Sequence, residues 1–406
     1  MTELYKNKNL LALYPADDSG FPMRFDPFKP YFGSVRTLNY ADACHSGGIK
    51  NTERHILDLI DRKKIDIVIC CPFASDYQLS VAFYASVREK AKLVFWFSDD
   101  ASYFESYSRY YAQTADAVIT TDYFLALSYK NRLEIPAFVC QELTASNKFC
   151  PVDVKKDIDV CFIGDMRKRG RREYIDFLRK SGITVEVYGQ GSEKGYLPPE
   201  KISEYICRSR INLNFSQITT PDWKSADEQL LNKARQNTGR PREIAITGAF
   251  CLSEYSPSMD GMFKPGEQVD FFRDKEELLE KIRYYLANPE KREMMARAAH
   301  EYAVQNYLAD TYVPRLLEEL EPYLVSPRRR EPLVAEIYLS RGFKTREINS
   351  LTFSMFVMLR RRNLPAALET FFLLFKHGPV VFLQGFSGGL RRAIANIRGK
   401  LAGASR

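Results

Sequence analysis

GRPREIAITGAFCLSEYSPSMDGMFKPGEQVDFF, Gly239–Phe272, is the stretch that decides the fold of this chain. Arg240 and Arg242 come first, with Glu243 directly behind them. The small-residue passage Ala245–Ala249 runs through Gly248 into the apolar Phe250-Cys251-Leu252. Ser253-Glu254-Tyr255 then leads into a loop punctuated by Pro and Gly, and Val269–Phe272 closes the stretch. This pattern predicts a helix packed closely on a sheet, a tight turn at Gly248 and a buried strand. A carboxylate at a helix start, as Glu243 would be, is favoured by the helix dipole and can accept a hydrogen bond from a ligand hydroxyl. Arginines beside it suit phosphate. A sugar nucleotide needs both kinds of group at once.

Upstream, apolar runs and helical patterns alternate. Leu10–Tyr14, Ile65–Pro72, Leu93–Phe97 and Ala117–Thr121 read as buried strands. Thr52–Arg62, Tyr77–Lys90 and Phe104–Thr114 read as helices, with a further helix after Asp122. The loop Asp17–Pro30 lies where α/β proteins place ligand contacts. The pattern breaks near Phe149–Asp153 and restarts with strands at Ile158–Gly164, Val185–Gly189 and Ile211–Phe215. Arg171–Ser181, Lys275–Leu286 and Lys291–Tyr307 read as helices of this second half. Such alternation predicts doubly wound parallel sheets.

The segment from Arg242 to Ala303, REIAITGAFCLSEYSPSMDGMFKPGEQVDFFRDKEELLEKIRYYLANPEKREMMARAAHEYA, resembles the C-terminal signature of the spore-maturation (CgeB-like) glycosyltransferases of the GT-B superfamily. The shared order is a small-residue helix after a Glu, G-A-F, F-x-P-G-x-[EQ], D-x-E-E-L and a final amphipathic helix. The resemblance extends over residues 155–320 and gives out beyond Pro327. It implies an α/β fold with two Rossmann-like domains facing a cleft. Residues 1–150 would form an acceptor domain and 151–311 a nucleotide-sugar donor domain. Residues 312–327 would cross back as a helix, leaving 328–406 as a basic, helical, amphipathic tail.

Candidate donor-binding residues follow. Gly164, Arg167 and Arg169 lie in a basic loop between a strand and a helix, which is either an anion site or a solvated surface loop. Gly189 and Gly191 resemble the family's G-x-G turn beneath the nucleotide base, and a plain turn is the alternative. Glu243 matches the carboxylate that grips the donor ribose. Asn214 and Gly248 complete the set with Arg235, Arg240 and Arg242, which could meet phosphates together with Lys233. The superfamily has a second Glu eight positions before the first, where this chain has Arg235. Candidate catalytic residues are Glu254, after the buried strand, and the pair Asp99-Asp100, which matches the family's W-F-[ST]-D-D. That pair could orient an acceptor hydroxyl, act as a base, or cap the helix that follows. Asp122 has the same ambiguity, and His45, read as lying in a Gly-rich loop, is a further catalytic candidate. The four histidines show no metal-ligand spacing, so neither a metal nor a cofactor is expected.

A chain of 406 residues fits two domains plus an appendage. Eight cysteines without a C-x-x-C, several inside apolar runs, read as small hydrophobes in a reducing compartment. No secretory leader is expected, and no run reaches the roughly 18 apolar residues of a membrane span. Residues 328–406 hold 15 Lys/Arg against 4 Asp/Glu, a net of +11, which leaves −3 for the rest of a chain whose total is +8. A mildly acidic body argues against nucleic acid as substrate. In the tail, apolar blocks at Leu351–Leu359, Leu368–Phe375 and Val380–Leu383 are separated by basic runs. Leu390, Ala393, Ile394, Ile397 and Leu401 share one helical face. Such a face either lies on an anionic membrane or packs on protein.

Together these features predict a cytoplasmic glycosyltransferase, peripheral on the inner face of the membrane and independent of metal. It would move a sugar from a nucleotide-diphosphate donor to a hydroxyl of a glycan or lipid-linked acceptor, in bacterial cell-surface glycan synthesis. The alternative is a catalytically degenerate GT-B scaffold that binds membrane or partner proteins.

Overall fold

The computed structural model describes residues 5–15, 25–72, 79–98, 100–140, 149–217, 235–327 and 339–403. They form two compact units. One takes the described residues of Met1–Thr120, Leu125–Val139 and Leu316–Arg406, the other those of Thr121–Phe124 and Cys140–Arg315.

The first unit is built on strands β1 (Asn9–Tyr14), β2 (Ser34–Asn39), β3 (Ile67–Cys70), β4 (Lys92–Phe97), β5 (Ala117–Thr120) and β6 (Ala137–Val139). All neighbours are parallel, in the order β2-β1-β3-β4-β5-β6. The central strands are apolar along their length because helices cover both faces. Those helices include α1 (Tyr40–Gly47), α2 (Ile49–Arg62), α3 (Val81–Lys90) and α4 (Tyr123–Leu133). Side chains start α1 and α3: Asn39 Oδ1 accepts from Asp42 N at 3.0 Å, and Ser80 Oγ from Phe83 N at 3.1 Å. In place of the single helix expected at Phe104–Thr114, a wide turn at Phe104–Ser108 runs into a short helix at Arg109–Ala112.

The second unit holds β7 (Ile158–Ile163), α5 (Arg171–Lys180), β8 (Val185–Tyr188), α6 (Ile202–Arg208), β9 (Ser209–Asn214), α7 (Arg240–Ile246), β10 (Cys251–Glu254) and β11 (Asp270–Phe272). Helices α8 (Lys275–Ala287) and α9 (Pro289–Tyr307) follow. This sheet is also parallel throughout, in the order β11-β10-β9-β7-β8. Helix α10 (Ala309–Leu324) begins in the second unit and ends in the first.

The last three helices are α11 (Arg341–Arg360), α12 (Leu364–Leu373) and α13 (Pro379–Gly403). Phe343, Ile348, Leu351, Met358, Leu374 and Val381 are buried in the first unit's core. The Phe343 ring packs 4.8 Å from that of Tyr110. Asn363 Nδ2 donates to Ser46 O at 2.6 Å, and Glu369 Oε1 accepts from Lys50 N at 2.9 Å. Glycines let α13 lie against α11: a Cβ on Gly389 would sit 2.5 Å from both Asn349 O and Thr352 Cβ. The segment read as an appended tail is therefore a structural part of the first unit. The face expected on α13 turns partly inward: Ala393 is buried and Ile394 exposed, while the side chains of Ile397 and Leu401 lie outside the described residues. Exposed apolar side chains sit on α12, the turn after it and the first turns of α13, at Leu364, Leu368, Phe372, Phe375, Val380 and Leu383.

Candidate functional site

In the second sheet the strand order changes direction between β7 and β9, and ligands of open α/β sheets collect at the carboxyl ends of strands beside such a switch. The loop after β7 and the chain leaving β9 meet there. A Cβ on Gly170 would come within 2.4 Å of Gln217 Oε1. Beneath them, Gly164 and Gly189 touch through their backbones: Gly189 has φ +121°, and a Cβ there would lie 2.2 Å from Gly164 O. Gly191 gives room to the Arg167 side chain: a Cβ there would lie 2.8 Å from Arg167 Cγ. These glycines shape the turn whatever ligand it serves.

Arg167 is held within its own loop. Its backbone N and Nε donate to Asp165 Oδ1, both at 2.9 Å, and its Nη2 donates to Oδ2 at 2.8 Å. This guanidinium holds the Asp165 carboxyl below its ordinary range. Arg169 is half-buried in the same loop. Arg171, the basic residue with which this run enters the helix, is buried at the start of α5 and donates to Asp165 O at 3.0 Å. Burial pushes its pKa down to about 10, against the pull of Asp165 and Glu254.

Glu254 ends β10 with only 2% of its surface exposed. Its Oε2 accepts from Ser216 N at 2.8 Å and Gln217 N at 3.0 Å, and its Oε1 pairs with Arg235 Nη2 at 2.8 Å. The carboxylate thus pins the chain leaving β9 to the end of β10. Arg235, standing where the superfamily has a Glu, is charge-matched by it. Tyr174 faces the same pair, and burial raises its phenol to about 12. Asn214 is an internal link: its Nδ2 donates to Ser253 Oγ at 2.8 Å, and its Oδ1 accepts from Thr238 Oγ1 at 2.8 Å.

In the first turn of α7, Arg240 Nη1 lies 2.6 Å from Glu243 Oε2. Arg242 is instead 2% exposed and packed inside the unit. Gly248, at φ +73°, closes α7: its N–H reaches Ala245 O at 2.9 Å, and the next N–H, of Ala249, reaches Ile244 O at 3.2 Å. This is a Schellman cap, which only a left-handed residue completes cheaply. The fold therefore gathers Arg171, Arg235, Arg240, Glu243 and Glu254 around one sheet edge, three guanidinium groups against two carboxylates. Arg242 and Gly248 serve the fold.

In the first unit, Asp99 lies outside the described residues, as does Lys233 in the second. Asp100 does not face a cleft. It is 1% exposed, its Oδ1 accepting from Thr120 Oγ1 at 3.0 Å and its Oδ2 from Tyr129 OH at 2.9 Å. The role it was expected to share with Asp99 needs an accessible carboxylate, and burial removes it. Asp122 accepts from Phe124 N at 2.9 Å, starting α4, and from Ser258 Oγ at 2.6 Å. His45 sits on α1 rather than in a loop. Most of the expected ligand loop Asp17–Pro30 lies outside the described residues. Among the described residues no cluster of His, Cys, Asp and Glu could hold a metal ion, and no helix is long and apolar enough to cross a membrane.

Residues 167–318, which contain the whole cluster, match a family described as glycosyl transferase-like. No curated protein matches the chain significantly. Among solved structures, a glycosyltransferase from Rickettsia africae aligns over 80% of this chain and 100% of its own, with a TM-score of 0.56 at 11% identity. HepE from Anabaena, solved in complex with UDP, aligns over 77% of this chain and 99% of its own, with a TM-score of 0.55 at 12% identity. Sucrose-phosphate synthase from Thermosynechococcus elongatus aligns over 77% and 99%, with a TM-score of 0.55 at 9% identity. The fold is thus that of the GT-B glycosyltransferase structures, two Rossmann-like parallel-sheet units with an added C-terminal helical region.

Proposed function

We propose that this chain is a GT-B glycosyltransferase that moves a sugar from a nucleotide-diphosphate donor to a hydroxyl acceptor, as the CgeB-like proteins are expected to do. The observation that carries the reading is the arginine-rich edge of the second sheet, which lies within the segment that matches a glycosyl transferase-like family. Arg171, Arg235 and Arg240 supply fixed positive charge where a diphosphate would sit, and Glu243 supplies an acceptor for ribose hydroxyls. With guanidinium groups meeting the leaving diphosphate, the transfer runs without a metal ion, and turnover persists in EDTA. HepE was solved with UDP, so uridine diphosphate is the first nucleotide to try.

The acceptor belongs to a bacterial surface glycan, and the enzyme works at an anionic membrane surface. Support for the membrane comes from the apolar face of α12 with Arg360, Arg361, Arg362 and Lys376 around it. Phe372, 67% exposed, is its most prominent ring, and Phe372→Asp is expected to abolish sedimentation with anionic vesicles.

The deciding test is thermal unfolding with nucleoside diphosphates and their sugars, wild type beside Glu243→Ala. A ligand at a hundred times its dissociation constant adds about 2.7 kcal/mol. A shift with UDP that Glu243→Ala removes supports the donor site. The absence of a shift with every nucleotide would instead favour a GT-B scaffold without catalysis, as would intact vesicle binding without turnover.

A further inference from the structure

A buried carboxamide is costly unless its hydrogen bonds are made, and β9 carries two, Asn212 and Asn214. Asn212 donates to Ile206 O at 3.1 Å, a bond internal to the packing of α6 on the sheet. Asn214 stands at the carboxyl end of β9, 4% exposed, and is bonded to two segments that each carry members of the arginine and carboxylate cluster. Thr238 Oγ1 donates to its Oδ1 at 2.8 Å, and Arg240 opens α7 two residues later. Its Nδ2 donates to Ser253 Oγ at 2.8 Å, directly before Glu254. Ser253 Oγ in turn donates to Glu254 O at 3.0 Å. A hydroxyl has one proton, so the Ser253 oxygen can only accept from Asn214, and the carboxamide is fixed with its oxygen toward Thr238.

The run Arg235–Thr238 lies antiparallel to Asn214–Gln217. Its first residues are tied several times over: Gln217 and Arg235 form an antiparallel bridge, Gln236 N donates to Ser216 O at 2.9 Å, and Arg235 pairs with Glu254. Asn237 adds two longer contacts, to Thr121 O at 3.3 Å and Ser258 O at 3.5 Å. The end nearest α7 is tied to the sheet by the Thr238–Asn214 bond, and Gly239 after it has no side chain to add. Arg240 Nη1 lies 2.6 Å from Glu243 Oε2, so the two side chains shift together with the start of the helix.

We propose that Asn214 is a positioning residue that acts through Thr238. It sets the start of α7 so that Arg240 and Glu243 are already placed for diphosphate and ribose, and it touches no ligand itself. This role rests on the transferase reading. Without the bond the helix start samples other positions, and apparent affinity falls by the fraction of molecules still competent to bind.

The full-length protein is titrated calorimetrically with UDP, ADP and GDP, and its melting temperature is read in parallel. Thr238→Val, Thr238→Ser, Asn214→Ala and the double variant of Thr238→Val with Asn214→Ala are measured beside wild type. Tyr285→Phe, which loses a 2.8 Å bond to Asp270 at the amino end of β11, controls for lost stability alone. Thr238 is only half-buried, so Val of the same shape tests the bond even where Asn214→Ala does not fold. Expected is a nucleotide affinity about fivefold weaker in Thr238→Val and close to wild type in Thr238→Ser and Tyr285→Phe. The double variant should bind no worse than Asn214→Ala, because both changes cut the same link. Unchanged affinity in Thr238→Val overturns the proposal and leaves the donor site standing. An equal loss in Tyr285→Phe, or full addition of the two losses in the double variant, overturns it as well. Wild type that binds none of the three nucleotides defeats the donor reading itself, and this role with it.

Discussion

The two parallel sheets share a strand order yet finish their units differently. Taken in chain order, each begins 2-1-3-4-5, but the second completes its core almost wholly within residues 140–315, whereas the first depends on three helices from the far end of the chain. Their charges differ in the same sense. The first unit buries its acids among internal partners, with Asp100 between Thr120 and Tyr129, Asp116 against Arg88, and Glu347 against Lys376 and His377. The second keeps its arginines at the sheet edge, partly paired. A buried acid just past or at the end of a strand is thus held by neutral hydroxyls in one unit, at Asp100, and by a guanidinium and two backbone N–H groups in the other, at Glu254.

Truncation after Pro327 tests the first half of this comparison most severely. It removes Phe343, Ile348, Leu351 and Met358 from the core, and the first unit is expected to lose its cooperative transition, a loss on the scale of a domain's whole stability, about 5–15 kcal/mol. Calorimetry should show the second unit's transition surviving; an unchanged two-unit profile would refute the assignment of these helices. Next in size is Arg88→Ala, which leaves Asp116 buried without its ion partner, 3.1 Å away in the wild type, and should cost about 3–5 kcal/mol in the first unit. Glu254→Ala should destabilise only the second unit, by roughly 3 kcal/mol, because it strands Arg235 and two backbone N–H groups. Denaturant curves of the two units that shift together would show that Glu254 supports both. Gly389→Ala, which forces a Cβ into Thr352, should cost about 1–3 kcal/mol.

The smallest effect is on acid stability. Glu347 has a depressed pKa in the folded state, so its ion pairs stabilise above the unfolded value, near 4.3, and the contribution disappears as pH falls through the lower folded value. Glu347→Gln should therefore flatten the decline of first-unit stability below about pH 4.3. A decline of the same steepness in the variant would assign it to other carboxylates.

The central strands were legible because continuous apolar runs such as LLALY, IVIC and AVIT have no other use in a chain of this polarity. The helix–turn–strand passage around Gly248 was equally open, since a Schellman cap advertises its glycine. Strand β2, SVRTLN, escaped because it lies at the sheet's edge and is nowhere fully buried, so it lacks an apolar run. Strand β6 is only three residues long. At the candidate site, residue types were readable and pairings were not. Nothing local joins Arg235 to Glu254, or Glu347 to His377 thirty residues away. Asp100 misled because a pattern of adjacent acids says nothing of depth. The role of the last three helices was hidden for a related reason: QGFSGG reads as a weak helix until Asn349 and Thr352 occupy the space its missing side chains leave.

Joining Asp42 to Arg361 and Lys50 to Glu369 also sets an order of events in synthesis. The second unit needs almost no residue beyond 315 and can fold while the ribosome is still at work. The first unit, though translated earlier, must wait for contacts some 319 residues away, holding a mostly apolar sheet without its last cover. Late closure of so distant a loop is slow, and the waiting sheet invites chaperones or aggregation. Expression yield should thus respond more to changes in α11–α13 than to equally destabilising changes in the second unit.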